Sequence, residues 1–136
     1  MLMIGSRLIT GAALLAGLAA AQSLDFEAYR SKVEPIFLKK RTGHARCVVC
    51  HSANNSLFQL QPPPAAGGSW SEEQSRKNFT SVSRLVKPGD PAGSKLLKHP
   101  LAPEAGGDIF HNGGRQFTSQ DDPDYKIVAD WIRNGK

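Results

Sequence analysis

The sequence predicts a small all-α domain with long loops. Apolar residues recur at spacings of three and four in two segments, 26–37 and 125–132, which is the pattern of amphipathic helices. The chain of 136 residues also contains 13 glycines and 9 prolines, which cluster between these segments and favour loops. We therefore expect a helix at each end of the domain and largely irregular chain between them.

Residues 1–21 have the layout of a secretory signal peptide. Arg7 supplies a positive charge, residues 8–18 form a short apolar run, and alanines at 19–21 suit a cleavage site. The run is shorter than the about 20 apolar residues of a transmembrane helix, although an uncleaved N-terminal anchor is the alternative. We expect an exported chain, periplasmic or extracellular, with a domain at 22–136 and no transmembrane span after cleavage.

The expected mature domain carries a mild positive charge. Loss of Arg7 leaves 16 of the 17 Lys and Arg residues against 12 Asp and Glu, a formal charge of +4. This excess is too small to indicate nucleic-acid binding. It suits acidic protein partners, because complementary charge raises association rates.

The first predicted helix begins after Asp25, a candidate N-cap. Pro35 is expected to kink or split this helix near Glu34, because proline cannot donate a backbone hydrogen bond. Its apolar stripe consists of Phe26, Tyr29, Val33 and Phe37.

Residues 47–51 read C-V-V-C-H, the attachment signature of c-type haem. Two thiols three positions apart on a helical turn can reach the two vinyl groups on one edge of a porphyrin. The adjoining imidazole can then bind the iron. We therefore predict one covalent haem c held by Cys47 and Cys50, with His51 as an iron ligand.

Other interpretations of the two cysteines are weaker. A redox dithiol is expected within a βαβ pattern, which is missing around Cys47. A zinc site would need further ligands at suitable spacing. A disulfide between Cys47 and Cys50 would close a very short loop and remove little entropy from the unfolded chain.

A second iron ligand must come from outside the attachment signature. Both methionines, Met1 and Met3, fall within the predicted signal, so the mature domain has none. His44 lies too close to the attachment site to reach across a haem. His111 is favoured because the glycines that follow it allow close backbone approach. His99, a lysine and an open position are the alternatives.

The middle of the domain is expected to contain short helices. Ser71 is a candidate N-cap of a helix that runs to about Leu85. A Pro-Gly-Asp-Pro turn at 88–91 precedes a short helix at 94–98. The remaining stretches, 52–69 and 100–120, are expected to be irregular.

The last predicted helix has signals at both ends. Asp122 is a candidate N-cap, Pro123 occupies the first helical position, and Gly135 is a candidate C-cap. Its apolar stripe consists of Tyr125, Val128, Trp131 and Ile132.

Several cations have candidate roles around a haem. The cations considered as contacts of the haem propionates are Arg46, Lys95 and Arg115. The cluster considered as a steering surface for acidic partners is Lys39, Lys40, Arg41 and Arg46.

Taken in order, these motifs resemble a known family. They are C-V-V-C-H at 47–51, P-G-D-P at 88–91, S-K-L-L at 94–97, H-N-G-G-R at 111–115 and W-I at 131–132. Over roughly Leu24 to Gly135 the chain resembles the planctomycete-type cytochrome c-like domain of the cytochrome c superfamily. The resemblance implies crossing N- and C-terminal helices, a haem crevice and a distal ligand at His111. The chain departs from the family's frequent Met ligand, and His/His ligation usually gives a lower reduction potential.

These features predict an exported mono-haem cytochrome that carries single electrons between redox partner proteins. A haem-based sensor of small molecules and a haem subunit of a larger exported complex are the alternatives. We do not expect a stand-alone enzyme, because the sequence has no nucleophile elbow such as G-x-S-x-G and no acid–base pair.

Overall fold

A computed structural model describes residues 23–53 and 56–135 of the chain. These residues form helices and turns without any β-strand, apart from two isolated bridges, so the predicted all-α class is confirmed. The predicted signal peptide at 1–21 lies outside the described residues. Within them, no helix has the length and apolar character needed to cross a membrane.

The N-terminal helix changes its winding along its length. It comprises α1 (Phe26–Ala28), a π-helical turn (Tyr29–Val33) and a 3₁₀ turn (Glu34–Leu38). Asp25 caps the first turn, as predicted, by accepting a hydrogen bond from a backbone N–H. The change from π to 3₁₀ winding comes at Glu34, where the sequence predicts a kink or split, because Pro35 has no N–H with which to continue an α-helix. The earlier change from α to π winding at Tyr29 was not predicted.

The other helices are short, and most begin where the sequence predicts. They are α2 (Cys47–His51), α3 (Glu72–Ser83), α4 (Lys95–Lys98), a 3₁₀ turn (Pro103–Ala105) and α5 (Pro123–Arg133). Ser71 and Gln74 form a capping box at the start of α3. Asp122 accepts hydrogen bonds from two backbone N–H groups at the start of α5.

Gly135 is not the left-handed C-cap that the sequence predicts. Asn134 occupies the C-cap position with right-handed geometry, and Gly135 does not have a positive φ. A Cβ at Gly135 would lie 3.0 Å from side-chain atoms of both Leu24 and Pro88. Close packing, and not helix termination, therefore explains glycine at this position.

The N-terminal helix and α5 pack together at the centre of the core. The rings of Tyr29 and Trp131 lie 5.6 Å apart, and Trp131 Nε1 donates a 2.9 Å hydrogen bond to the carbonyl of Asp25. Both predicted apolar stripes point inward, and all their members except Phe26 are buried. This contact leaves one side of the core open as a cavity beside α2.

Candidate functional site

A cavity of about 590 Å³ lies between α2, α4, α5 and the loop that precedes α5. Its volume is within the range of small-molecule and cofactor sites. All four residues that the sequence predicts to bind the cofactor line this cavity: Cys47, Cys50, His51 and His111. The two irregular stretches, 52–69 and 100–120, therefore each contribute residues to the same cavity as the C-x-x-C-H segment.

The two thiols lie on α2, one turn apart, and neither forms a disulfide. Side chains three positions apart share one face of a helix. Burial raises the pKa of the Cys47 thiol, and the charge of nearby Arg41 offsets only part of this effect. Reactive dithiol motifs have a lowered thiol pKa, so Cys47 lacks the electrostatics of that alternative.

His51 is held by the chain that follows α2. Its Nδ1 lies 2.9 Å from the carbonyl oxygen of Phe58, and its ring centroid lies 4.2 Å from that of Phe58. Burial lowers the pKa of His51, and the hydrogen bond to Phe58 offsets only part of this effect. With the proton on Nδ1, a neutral ring presents the lone pair of Nε2, which is the form that binds metals.

His111 is held by its own turn in the same manner. Its Nδ1 lies 2.7 Å from the carbonyl oxygen of Gly114, whose N–H donates back to the carbonyl of His111 at 2.9 Å. Gly114 has a φ of +81°, a conformation that disfavours other residues. A Cβ at Gly113 would lie 3.0 Å from the His111 ring. The two glycines therefore permit this ring position.

The rings of His51 and His111 lie close together where both residues line the cavity. Their centroids lie 6.4 Å apart, and their planes differ by 13°. Because a metal–imidazole bond is about 2.0–2.1 Å long, two imidazoles on opposite sides of one metal place their ligating nitrogens about 4 Å apart and their ring centroids about 6 Å apart. The observed separation matches that arrangement.

No three His, Cys, Asp or Glu side chains among residues 23–53 and 56–135 form a group that could hold a bare metal ion. A metal between His51 and His111 would need further ligands from another source. A porphyrin supplies four nitrogens to its iron and leaves two axial positions for the protein.

His99 also reaches the cavity. Its ring centroid lies 5.0 Å from that of His111, with an interplanar angle of 70°, and its Nδ1 lies 3.0 Å from Asp108 Oδ2. Its side chain is about half exposed. His99 is thus a neighbour of His111, whereas the near-parallel partner of His51 is His111. His44 does not line the cavity and lies beside Gly114.

Gln116 is a site residue that the sequence analysis missed. It is 6% exposed, and its Nε2 donates to the carbonyl of Ala45 at 3.2 Å and to that of Gly113 at 2.9 Å. It therefore joins the chain before α2 to the turn that carries His111. A glutamine in an irregular segment gives no local signal of this role.

Arg41 turns inward, in contrast to the predicted steering surface. It pairs with Asp122 at 2.9 Å and with Asp124, and its side chain is only 16% exposed. Lys39 also pairs with Asp124, at 2.8 Å, and Lys40 donates to a backbone carbonyl. Lys39 and Arg41 therefore tie the chain before α2 to the start of α5, whereas the contact of Lys40 stays within the chain before α2.

Two of the three predicted propionate contacts lie at the cavity. Arg46 and Lys95 line it and are exposed, whereas Arg115 does not line it and pairs with Glu104 at 3.1 Å.

Comparison of the chain with protein-family models, with curated proteins and with solved structures found no match.

Proposed function

We propose that this chain is an exported mono-haem c-type cytochrome that carries single electrons between redox proteins. The observation that carries the proposal is the close pair of His51 and His111, whose near-parallel rings have centroids 6.4 Å apart. Both thiols of the attachment signature line the same cavity. Electron transfer needs neither a nucleophile nor an acid–base pair, and the sequence analysis found no such arrangement. We therefore propose an electron carrier and not an enzyme.

The described residues fit a covalently attached haem. Cys47 and Cys50 would each form a thioether by adding sulfur to one carbon of a vinyl group and the thiol hydrogen to the other. His51 and His111 would serve as the axial ligands, each through Nε2. Arg46 and Lys95, which are exposed at the cavity wall, would be available to pair with the propionates.

A bound haem would supply the Fe(III)/Fe(II) couple, and the chain's own residues would tune it. The carbonyls of Phe58 and Gly114 fix both imidazole orientations and make both rings stronger donors. His51 and His111, held in fixed orientations, would serve both oxidation states with little rearrangement of the protein. Apolar side chains from the N-terminal helix, α4 and α5 line the cavity wall and would lower the polarity around the iron. His/His ligation favours a potential lower than that of His/Met cytochromes.

The proposed fold and location follow from the same features. The contact between the N-terminal helix and α5 supports the cytochrome c-like arrangement that the motif order implies. The predicted signal peptide supports a periplasmic or extracellular location. Arg46 and Lys95 would present positive charge beside the haem to an acidic redox partner.

The test is production of the full chain in a bacterium that attaches haem to exported proteins. We expect haem that stays with the polypeptide in a denaturing gel, and an optical spectrum of six-coordinate low-spin iron that does not change with carbon monoxide. The double variant Cys47→Ala/Cys50→Ala is the control and should release its haem on denaturation. Wild-type protein without covalent haem would refute the proposal.

A haem-based sensor of small molecules is the second candidate. It is favoured by the loop that carries His111, because the preceding Ile109 and Phe110 are 78% and 82% exposed. An axial ligand on an exposed loop is more readily displaced than one in a helix. Rapid carbon monoxide binding by the wild-type protein would favour this candidate over the electron carrier.

A further inference from the structure

We propose that Ser81 of α3 sets the electron-donating strength of His51, acting through the peptide group that joins Phe58 to Gln59. Ser81 is a positioning residue in this proposal, because it touches neither the haem nor the iron. The inference rests on the proposed function, since it concerns the potential of the iron that His51 would bind.

Ser81 forms two hydrogen bonds with segment 57–59, which contains the carbonyl that accepts the hydrogen bond of His51. Its hydroxyl accepts a 2.8 Å hydrogen bond from the N–H of Gln59 and donates a 3.2 Å hydrogen bond to the carbonyl of Leu57. The residue is 8% exposed, so water does not readily replace it. Ser81 therefore fixes the chain on both sides of Phe58.

The hydrogen bonds of Ser81 and His51 meet on one peptide group. The N–H of Gln59 and the C=O of Phe58 belong to the same planar amide, and that carbonyl accepts from His51 Nδ1 at 2.9 Å. A hydrogen bond to the N–H of an amide polarises its carbonyl, so successive bonds strengthen one another. The Ser81 hydroxyl thus makes the Phe58 carbonyl a better acceptor for His51.

A second buried side chain of α3, Asn78, also holds the segment that follows His51. One turn earlier on α3, Asn78 accepts a 2.7 Å hydrogen bond from the N–H of Gln61 and donates to the buried carboxylate of Glu34 at 3.1 Å. Ser75 and Tyr29 donate to the same carboxylate. The polar face of α3 therefore holds the whole segment 57–61 against the core.

Ser56 makes a competing contact to the same acceptor. Its hydroxyl donates to the carbonyl of Phe58 at 2.9 Å, but the residue is exposed. Solvent can replace the exposed hydroxyl of Ser56, whereas it does not readily replace the buried hydroxyl of Ser81. We therefore expect loss of Ser81 to change the potential more than loss of Ser56.

The direction of the effect follows from charge. A strong acceptor for Nδ1–H gives the imidazole more negative character, which stabilises ferric over ferrous iron and lowers the potential. Without the Ser81 hydroxyl, the Phe58 carbonyl accepts less strongly, so ferrous iron gains stability. Ser81→Ala should therefore raise the reduction potential.

The experiment is a redox titration of the exported haem protein. In Ser81→Ala we expect the ferrous-to-ferric ratio at a fixed poise to rise three- to tenfold, a positive shift of up to about 59 mV for one electron. Ser83→Ala is the matched control, because the Ser83 hydroxyl bonds only to Phe79 in its own helix, at 2.7 Å, and should leave the potential unchanged. Ser81→Thr keeps a hydroxyl and should restore the wild-type value.

Two outcomes separate this inference from the proposed function. Wild-type protein without covalent haem would refute the function, whereas a haem protein whose potential is equal in Ser81→Ala and Ser83→Ala would overturn the role of Ser81 alone. Amide hydrogen exchange of Gln59 gives a second readout in the wild-type protein. We expect strong protection there, and exchange at the rate of an exposed amide would also overturn the proposal, even if Ser81→Ala does not fold.

Discussion

At the scale of single residues, the orientation of three imidazoles decides how the cavity can bind a metal. His51 and His111 each bond through Nδ1 to a backbone carbonyl, whereas His99 bonds through Nδ1 to the carboxylate of Asp108. All three therefore can present Nε2. Only the pair of His51 and His111 has near-parallel rings at 6.4 Å.

We predict that His111→Ala opens an axial position. The haem should remain covalently attached, but the ferrous protein should now bind carbon monoxide, because one imidazole has been removed. His99→Ala is the control and should leave the optical spectrum nearly unchanged. The opposite pattern, with carbon monoxide binding only in His99→Ala, would reassign the ligand to His99.

The sequence could predict some of these residues and not others. Cys47, Cys50 and His51 are recognisable because their chemistry depends on local spacing within one helical turn. The choice between His111 and His99 depends on which ring lies opposite His51, which is set by the packing of distant segments. Gln116 and Ser81 act through backbone groups of other segments, so no local pattern indicates them.

At the scale of elements, Arg41 ties the segment before α2 to the start of α5. Its guanidinium bonds to Asp122 and Asp124 and to the carbonyl of Gln116, and it lies 4.8 Å from the ring centroid of Phe117. These contacts join the chain that leads to the attachment helix to the loop that carries His111. Arg41 therefore links both sides of the site.

We predict that Arg41→Ala lowers the free energy of unfolding by about 2–3 kcal/mol, because it leaves the partly buried Asp122 without its cationic partner and Asp124 with Lys39 alone. Lys77→Ala is a suitable control, because Lys77 makes an exposed pair with Glu73 one turn away, and the loss of such a pair should leave stability nearly unchanged. Denaturant titration measures both. Equal losses in the two variants would contradict the role of Arg41.

The same tie predicts a sensitivity to acid. Partial burial alone would raise the pKa of Asp122, but Arg41 and the backbone N–H groups of α5 outweigh it, so the pKa lies below its usual value. A carboxylate with a lowered pKa in the folded state stabilises the protein above its unfolded pKa, about 3.9. That stability is lost as the pH falls through the folded value.

We therefore expect stability to fall as the pH drops from 5 towards 3, and less steeply in Asp122→Asn. Asparagine is also a good N-cap, so this variant keeps the start of α5 while it removes the titration. Denaturant titrations at several pH values measure both slopes. An unchanged slope in Asp122→Asn would show that other carboxylates account for the acid sensitivity.

The residues that cap helices could be predicted from the sequence better than the long-range contacts of side chains. Asp25, Ser71 and Asp122 cap helices as predicted, because a cap needs only its own side chain and the next few backbone N–H groups. The interpretation of Gly135 was wrong, because its reason is contact with Leu24 and Pro88, which are far away in sequence. The inward turn of Arg41 was missed for the same reason.

At the scale of the whole molecule, the core is divided between a packed half and an open half. The packed half joins the N-terminal helix to α5, with Tyr29, Trp131 and Phe79 in mutual ring contact. The open half is the cavity of about 590 Å³ beside α2. A domain of this size buries too little apolar surface to leave a large cavity empty at no cost in stability, so a cofactor in the cavity would complete its core.

We predict that the protein without haem is much less stable than the haem-containing protein. Filling an apolar cavity and tying the cofactor to α2 should contribute at least about 3 kcal/mol, which in a domain of this size corresponds to at least about 10 °C in Tm. The comparison is between the exported wild-type protein and the same chain produced without haem attachment, with thermal unfolding followed by circular dichroism.

Trp131→Phe is the control for the packed half, because it removes the Nε1 hydrogen bond to Asp25 but keeps an aromatic ring. It should lower the Tm of the protein with haem and of the protein without haem by similar amounts. Equal Tm values with and without haem would mean that the cavity is not completed by the cofactor, because a haem that packs against the core must stabilise the state that binds it.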